Sequence, residues 1–114
     1  MKAFYIMIFT LVSHTAVAQL ERVEPPNWWI GFQDNTLQLM VKEPGISDYT
    51  PEIDYPGVSI TEVHKADSPN YLFIDLLIGS DAEAGTFEIT FRAKGKKKLK
   101  HSYELKKRSR PSEE

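Results

Sequence analysis

The side chains able to do chemistry are few in this chain and stand apart from one another. There is no cysteine, and the histidines are His14, His64 and His101. His64 and His101 have neither a second histidine nor a carboxylate at the spacing of known metal motifs, so both read as strand or surface residues and no metal site is expected. Cleaving a glycosidic bond requires two carboxyl groups about 5 to 10 Å apart across a cleft. Asp34, Asp48, Glu52 and Asp54 offer carboxylates, but their spacing does not make them converge, and they read as solvated loop charges. Asp75 interrupts an apolar run and reads as a carboxylate at a strand end, a bulge or a partly open face. The G-x-S-x-G, H-E-x-x-H and phosphate-binding glycine patterns do not occur. The expectation is a chain with no catalytic residue, no metal and no cofactor.

Two features carry more weight. Lys94, Lys96, Lys97, Lys98 and Lys100 form a dense basic run. Nucleic-acid binding would pair such charge with exposed aromatics. Here the chain is acidic overall, and the run reads as a solvated turn that discourages edge pairing, with no nucleic-acid partner. The second feature is Pro25-Pro26-Asn27-Trp28-Trp29-Ile30-Gly31-Phe32, which holds both tryptophans. In an extended segment Trp28, Ile30 and Phe32 share one face while Trp29 shares the other with Gly31. Trp28 is then the core candidate. Trp29 needs another partner, and three are open: packing within the domain, a second domain, or a sugar ring stacked on it, with Tyr71 as a second aromatic for sugar.

The elements that must position these residues read as short strands. Leu20–Glu24 alternates apolar and charged residues and ends at Pro25-Pro26, where proline offers no ladder donor. Leu37, Leu39 and Val41 line one face of a strand over residues 37–42. Pro44-Gly45 and Pro56-Gly57 suit the centres of type II turns, and residues 46–55 between them read as a long loop with room for one irregular strand. Residues 58–63 alternate at first. Tyr71–Ile78 is almost continuously apolar and reads as a central strand covered on both faces. Phe87, Ile89 and Phe91 alternate inward over residues 86–92, and Leu99, His101, Tyr103 and Leu105 return in step, so these two segments are expected to form an antiparallel hairpin. About seven short strands with frequent turns and no helical period make an all-β, immunoglobulin-like β-sandwich, without the disulfide.

Composition bounds the rest. The chain has 114 residues and a net charge of -2. Lys2, the apolar run from Ala3 to Val12 and the Ala16-Val17-Ala18 site read as a signal peptide over residues 1–18, too short to span a membrane. Cleavage after Ala18 leaves 96 residues, assigned as a domain over 19–106 and a linker or tail over 107–114. The expected location is periplasmic or secreted, with no membrane attachment after cleavage. Residues 19–88 carry thirteen acidic and three basic side chains, and residues 89–114 carry three acidic and ten basic. Such polarity forms a solvated face or guides docking onto an acidic neighbour.

Taken in order, Val23-Glu24-Pro25-Pro26, Trp28-Trp29-Ile30-Gly31-Phe32, Leu37-Gln38-Leu39-Met40-Val41, Asn70-Tyr71-Leu72-Phe73-Ile74-Asp75-Leu76, Gly85, Phe87 and Tyr103-Glu104-Leu105-Lys106-Lys107-Arg108 resemble one family. It is the N-terminal domain preceding the catalytic barrel in Bacteroidetes cyclomaltodextrinases and neopullulanases of the α-amylase superfamily. The match runs through nearly the whole mature chain. The resemblance implies an immunoglobulin-like accessory domain of a periplasmic enzyme that hydrolyses α-1,4 and sometimes α-1,6 linkages in starch-derived oligosaccharides. It implies a catalytic barrel in cis as partner, beginning beyond Arg110, so that the catalytic aspartate and glutamate residues lie outside this sequence, which is then a fragment or truncated product. α-Glucan oligosaccharide is a further partner it suggests. The alternatives are a free-standing carbohydrate-binding sandwich or a protein-interaction sandwich.

Overall fold

A computed structural model describes residues 20–108. The expected signal peptide and all but the first two residues of the expected tail lie outside that range. Eight strands form: β1 (Arg22–Glu24), β2 (Asn27–Trp29), β3 (Thr36–Lys42), β4 (Thr50–Ile53), β5 (Val58–Lys65), β6 (Tyr71–Ile78), β7 (Gly85–Arg92) and β8 (Leu99–Lys106). One 3₁₀ turn, Ile46–Asp48, interrupts them. Among the described residues no helix is long and apolar enough to cross a membrane.

The strands make two four-stranded sheets, ordered β1-β3-β6-β5 and β2-β8-β7-β4. This is the immunoglobulin-like arrangement, with the first strand shared between both sheets. The eighth strand, beyond the seven or so expected, is β4, in the segment read as a long loop with room for one irregular strand. Pro25 and Pro26 have no N–H to give a ladder, so β1 ends at Glu24 and the chain crosses to the other sheet. There β2 lies parallel to β8, with Trp28 opposite Leu105 and Trp29 opposite Lys106. The Tyr103 hydroxyl, from β8, donates to the Pro25 carbonyl at 2.9 Å and fixes the crossing.

Alternation holds where it was clearest. Leu37, Leu39 and Val41 of β3 are buried, as are Phe87, Ile89 and Phe91 of β7 and Tyr103 and Leu105 of β8. The two last strands pair as an antiparallel hairpin from Gly85–Leu105 to Phe91–Leu99. Residues 46–55 contain the 3₁₀ turn, which plugs buried Ile46 into the core, followed by the edge strand β4. Pro51 is tolerated there because β4 has a neighbour on one side only. At the second Pro-Gly turn, Gly57 has φ +84, and a Cβ would meet the backbone nitrogen of Ala82 at 2.5 Å. Glycine is therefore required twice over at this position, for its conformation and for its lack of a side chain.

One strand departs from its expected environment. β6 is central, between β3 and β5, but only one of its faces is covered. Leu72, Ile74, Leu76 and Ile78 are buried, whereas Tyr71, Phe73, Asp75 and Leu77 point to the outside of the sheet. The apolar run arises because Phe73 sits in register between Met40 of β3 and His64 of β5, so that neighbours half-screen an outward-facing ring. A continuous apolar run cannot distinguish this from two-sided burial.

Two consequences are measurable. Tyr103→Phe removes the hydroxyl donor to the Pro25 carbonyl and is expected to cost about 1 to 2 kcal/mol, read as a lower denaturation midpoint with an unchanged slope. His101 faces inward beside Tyr103, and burial lowers its pKa below the ordinary 6.5. The folded state then holds the neutral ring, so its contribution is complete above pH 6.5 and is lost as pH falls from 6.5 through the lower folded value. Ring-proton NMR should give His101 a titration midpoint below 6.5; a midpoint at or above 6.5 would contradict its burial.

Candidate functional site

The most developed surface feature is an aromatic corner where β2 and β8 end together. Extension continues past Trp29, since the Ile30 amide donates to the Lys106 carbonyl at 2.9 Å. Gly31 then takes φ +86 and turns the chain. The strict alternation expected through Phe32 therefore fails at Gly31, because a strand carried on past it would place Phe32 only with Trp28. Instead the Phe32 ring lies 5.4 Å from Trp28 and 6.4 Å from Trp29, the second contact edge-on at 83°. Trp28 and Trp29 meet at 5.7 Å and 63°. Trp28 is half-buried and packs on the core. Trp29 stays 36% exposed.

Cations complete the corner. The Lys106 ammonium stands 5.9 Å from the Trp29 ring and the Arg108 guanidinium 4.5 Å from the Phe32 ring. At such exposed sites each contact contributes about 0.5 to 1 kcal/mol. Beside the rings an open groove of about 440 Å³ runs between residues 30–35 and the Ile78–Ala82 turn. Rings, groove and two cations make a surface suited to an apolar partner with an acidic rim.

Tyr71 lies elsewhere. It begins β6 in the other sheet, opposite Lys42, whose ammonium is 6.0 Å from its ring. β1 starts at that end, with Arg22 opposite Lys42, and runs away from it toward the tryptophans. Trp29 and Tyr71 are thus at opposite ends of the sandwich and form no joint platform.

Of the four candidate carboxylates, Asp34, Asp48 and Glu52 have partners, and Glu52 sits in β4. Asp34 accepts from the Thr36 hydroxyl at 2.6 Å and its amide at 3.1 Å, hydrogen bonds that lower its pKa. Glu52 pairs with Arg92 at 3.0 Å and Asp48 with Lys96 at 3.0 Å. The Asp48 contact ties the lysine-rich hairpin to the acidic half of the chain and raises the Lys96 pKa.

A second cluster was not expected from spacing. On the outer face of the first sheet, His64 Nε2 is 2.7 Å from Asp75 Oδ2 and 3.7 Å from Glu62 Oε2. The hydrogen bond to Asp75 raises the His64 pKa and lowers that of Asp75, which Gln38 lowers further by donating to Oδ1 at 2.8 Å. His64 thus has two carboxylate neighbours in space, although none stands at a metal-motif spacing in the sequence. Its partners come from strand pairing: Glu62 is two residues away on the same face, and Asp75 is opposite Glu62 in β6. Counting outward from the Ala66–Asn70 turn would have brought them together. Lys106 and Arg108 were missed as members of the aromatic corner for a similar reason, because parallel pairing of β2 with the last strand leaves no local trace.

The family model described as cyclomaltodextrinase, N-terminal, matches residues 22–109, which includes every strand of the sandwich. The chain therefore belongs to the cyclomaltodextrinase N-terminal domain family, the accessory domains of a glycoside hydrolase.

Proposed function

We propose that this sandwich is a non-catalytic docking domain that packs, through its aromatic corner, against a catalytic domain of the same polypeptide. The observation that carries the reading is the position of Trp29, partly exposed and in register with Lys106 at the end of β8. Whatever follows β8 in the polypeptide starts at this corner, so a following domain is held next to Trp29, Phe32 and the groove at high effective concentration. An interface of this kind needs an aromatic anchor within a polar rim. Trp29 supplies the anchor, and Lys106 and Arg108 supply the rim.

In this reading the parent enzyme is exported and hydrolyses starch-derived α-glucans, and the sandwich contributes rigidity and shape at the edge of its substrate path. Family membership and the Lys2–Ala18 pattern support that part. Direct sugar stacking on Trp29 is less well served. Phe32 meets its ring edge-on and Lys106 stands near it, so the ring lacks the open face and second parallel aromatic of a sugar platform.

Leu77, exposed to 37% on the other sheet, is a matched control for Trp29. In the polypeptide that continues into the catalytic domain, Trp29→Ala is expected to uncouple the two domains, splitting one thermal transition into two. Leu77→Ala should leave the single transition in place. In the isolated sandwich both changes should cost only about 1 kcal/mol. Retention of a single transition by the Trp29 variant would remove this docking mode.

A further inference from the structure

We propose that Glu62, His64 and Asp75 form a surface site for a divalent transition cation of zinc type, which clamps the edge strand β5 to β6. This role is separate from docking at the aromatic corner. In the register that runs from the hairpin turn, Glu62 falls opposite Asp75 and His64 opposite Phe73, and the bulge shifts the pairing only beyond Glu62, toward Ile60. Two ligand-bearing residues of β5 then share the outer face with the carboxylate of β6. Their candidate ligand atoms all lie within 4.8 Å of one another.

A tetrahedral ion bound at about 2.0 to 2.1 Å separates its ligands by about 3.4 Å. The His64–Glu62 distance of 3.7 Å is already close to that value. The His64–Asp75 contact of 2.7 Å is a hydrogen bond, which opens by less than an ångström when the cation takes the place of the shared proton. Gln38 holds the other oxygen of Asp75, leaving Oδ2 directed at His64. This is the carboxylate-orienting support that metal sites use. The Thr61 hydroxyl also donates to the Asp75 backbone carbonyl at 3.2 Å, so the bulge itself is tied to the strand bearing the third ligand.

One imidazole and two carboxylates make a nitrogen–oxygen donor set, suited to Zn²⁺, Co²⁺, Ni²⁺ or Cu²⁺, and three protein ligands leave a fourth position for water. Glu62 is exposed and His64 and Asp75 are partly exposed, so the ion exchanges freely, and its effect is to brace an edge strand that has only one neighbour.

Zinc and cobalt added to the protein test this directly. Calorimetry should show one zinc per chain, and Co²⁺ should develop the intense visible bands of a tetrahedral site. Melting temperature should rise by about 5 °C or more at a hundredfold excess of zinc over Kd. His64→Gln and Asp75→Asn, checked for folding by circular dichroism, should each weaken zinc binding at least tenfold. Traces of Cu²⁺ added to the unmodified protein should broaden the His64 ring signals before those of His101, a readout that requires no variant. Cobalt retaining the spectrum of its hydrated ion, zinc binding unchanged in both variants, or broadening that begins at His101 would each overturn the assignment.

Discussion

The crossing of the first strand from one sheet to the other is the constraint on which the rest of this domain depends. Two consecutive prolines deprive the strand of ladder donors, and the Tyr103 hydroxyl, wholly buried, anchors the Pro25 carbonyl at the point of crossing. Burial and the nearby Glu24 charge both raise the Tyr103 pKa, so the phenol keeps its proton and remains a donor. Without the crossing, residues 27–30 would extend the first sheet. Because of it, they run parallel to β8 and set both tryptophans beside the strand that ends the sandwich. The position of the candidate interface thus follows from a backbone constraint and one hydrogen bond.

The two sheets of the sandwich carry different chemistry. The β2-β8 pair ends in rings and cations around an open groove, which suits a macromolecular surface. The outer face of the other sheet carries the Glu62, His64 and Asp75 cluster with Gln38, which suits a small cation. The lysine-rich hairpin lies at neither place. Its turn is bonded from Lys96 to Ala93 at 3.1 Å, and Lys96 reaches Asp48, so part of its charge is used to join the two halves of an unevenly charged chain.

Local pattern made much of this fold legible. Period-two alternation located β3, β7 and β8, and the Pro-Gly pairs located two turns, because each signal is local and tied to the pleat or to a positive φ. Pairing partners distant in sequence were not legible. Nothing in residues 27–32 indicates that Lys106 and Arg108 will stand beside them, and alternation could not anticipate that Gly31 would bring Phe32 back against Trp29. The apolar run of β6 suggested two covered faces, since hydrophobicity records how apolar a side chain is and not which way it points. The Glu62–His64–Asp75 cluster lay between these cases, readable only once the hairpin register was counted from its turn.

Hydrogen exchange compares the docking claim with its rivals most directly. Amide exchange would be followed by mass spectrometry in the sandwich alone and in the polypeptide that continues into its catalytic domain. Docking through the aromatic corner should add protection in residues 27–32 and 104–108 and leave residues 36–42 and 71–78 unchanged. Protection confined to β3, β5 and β6, or no difference between the two proteins, would contradict it.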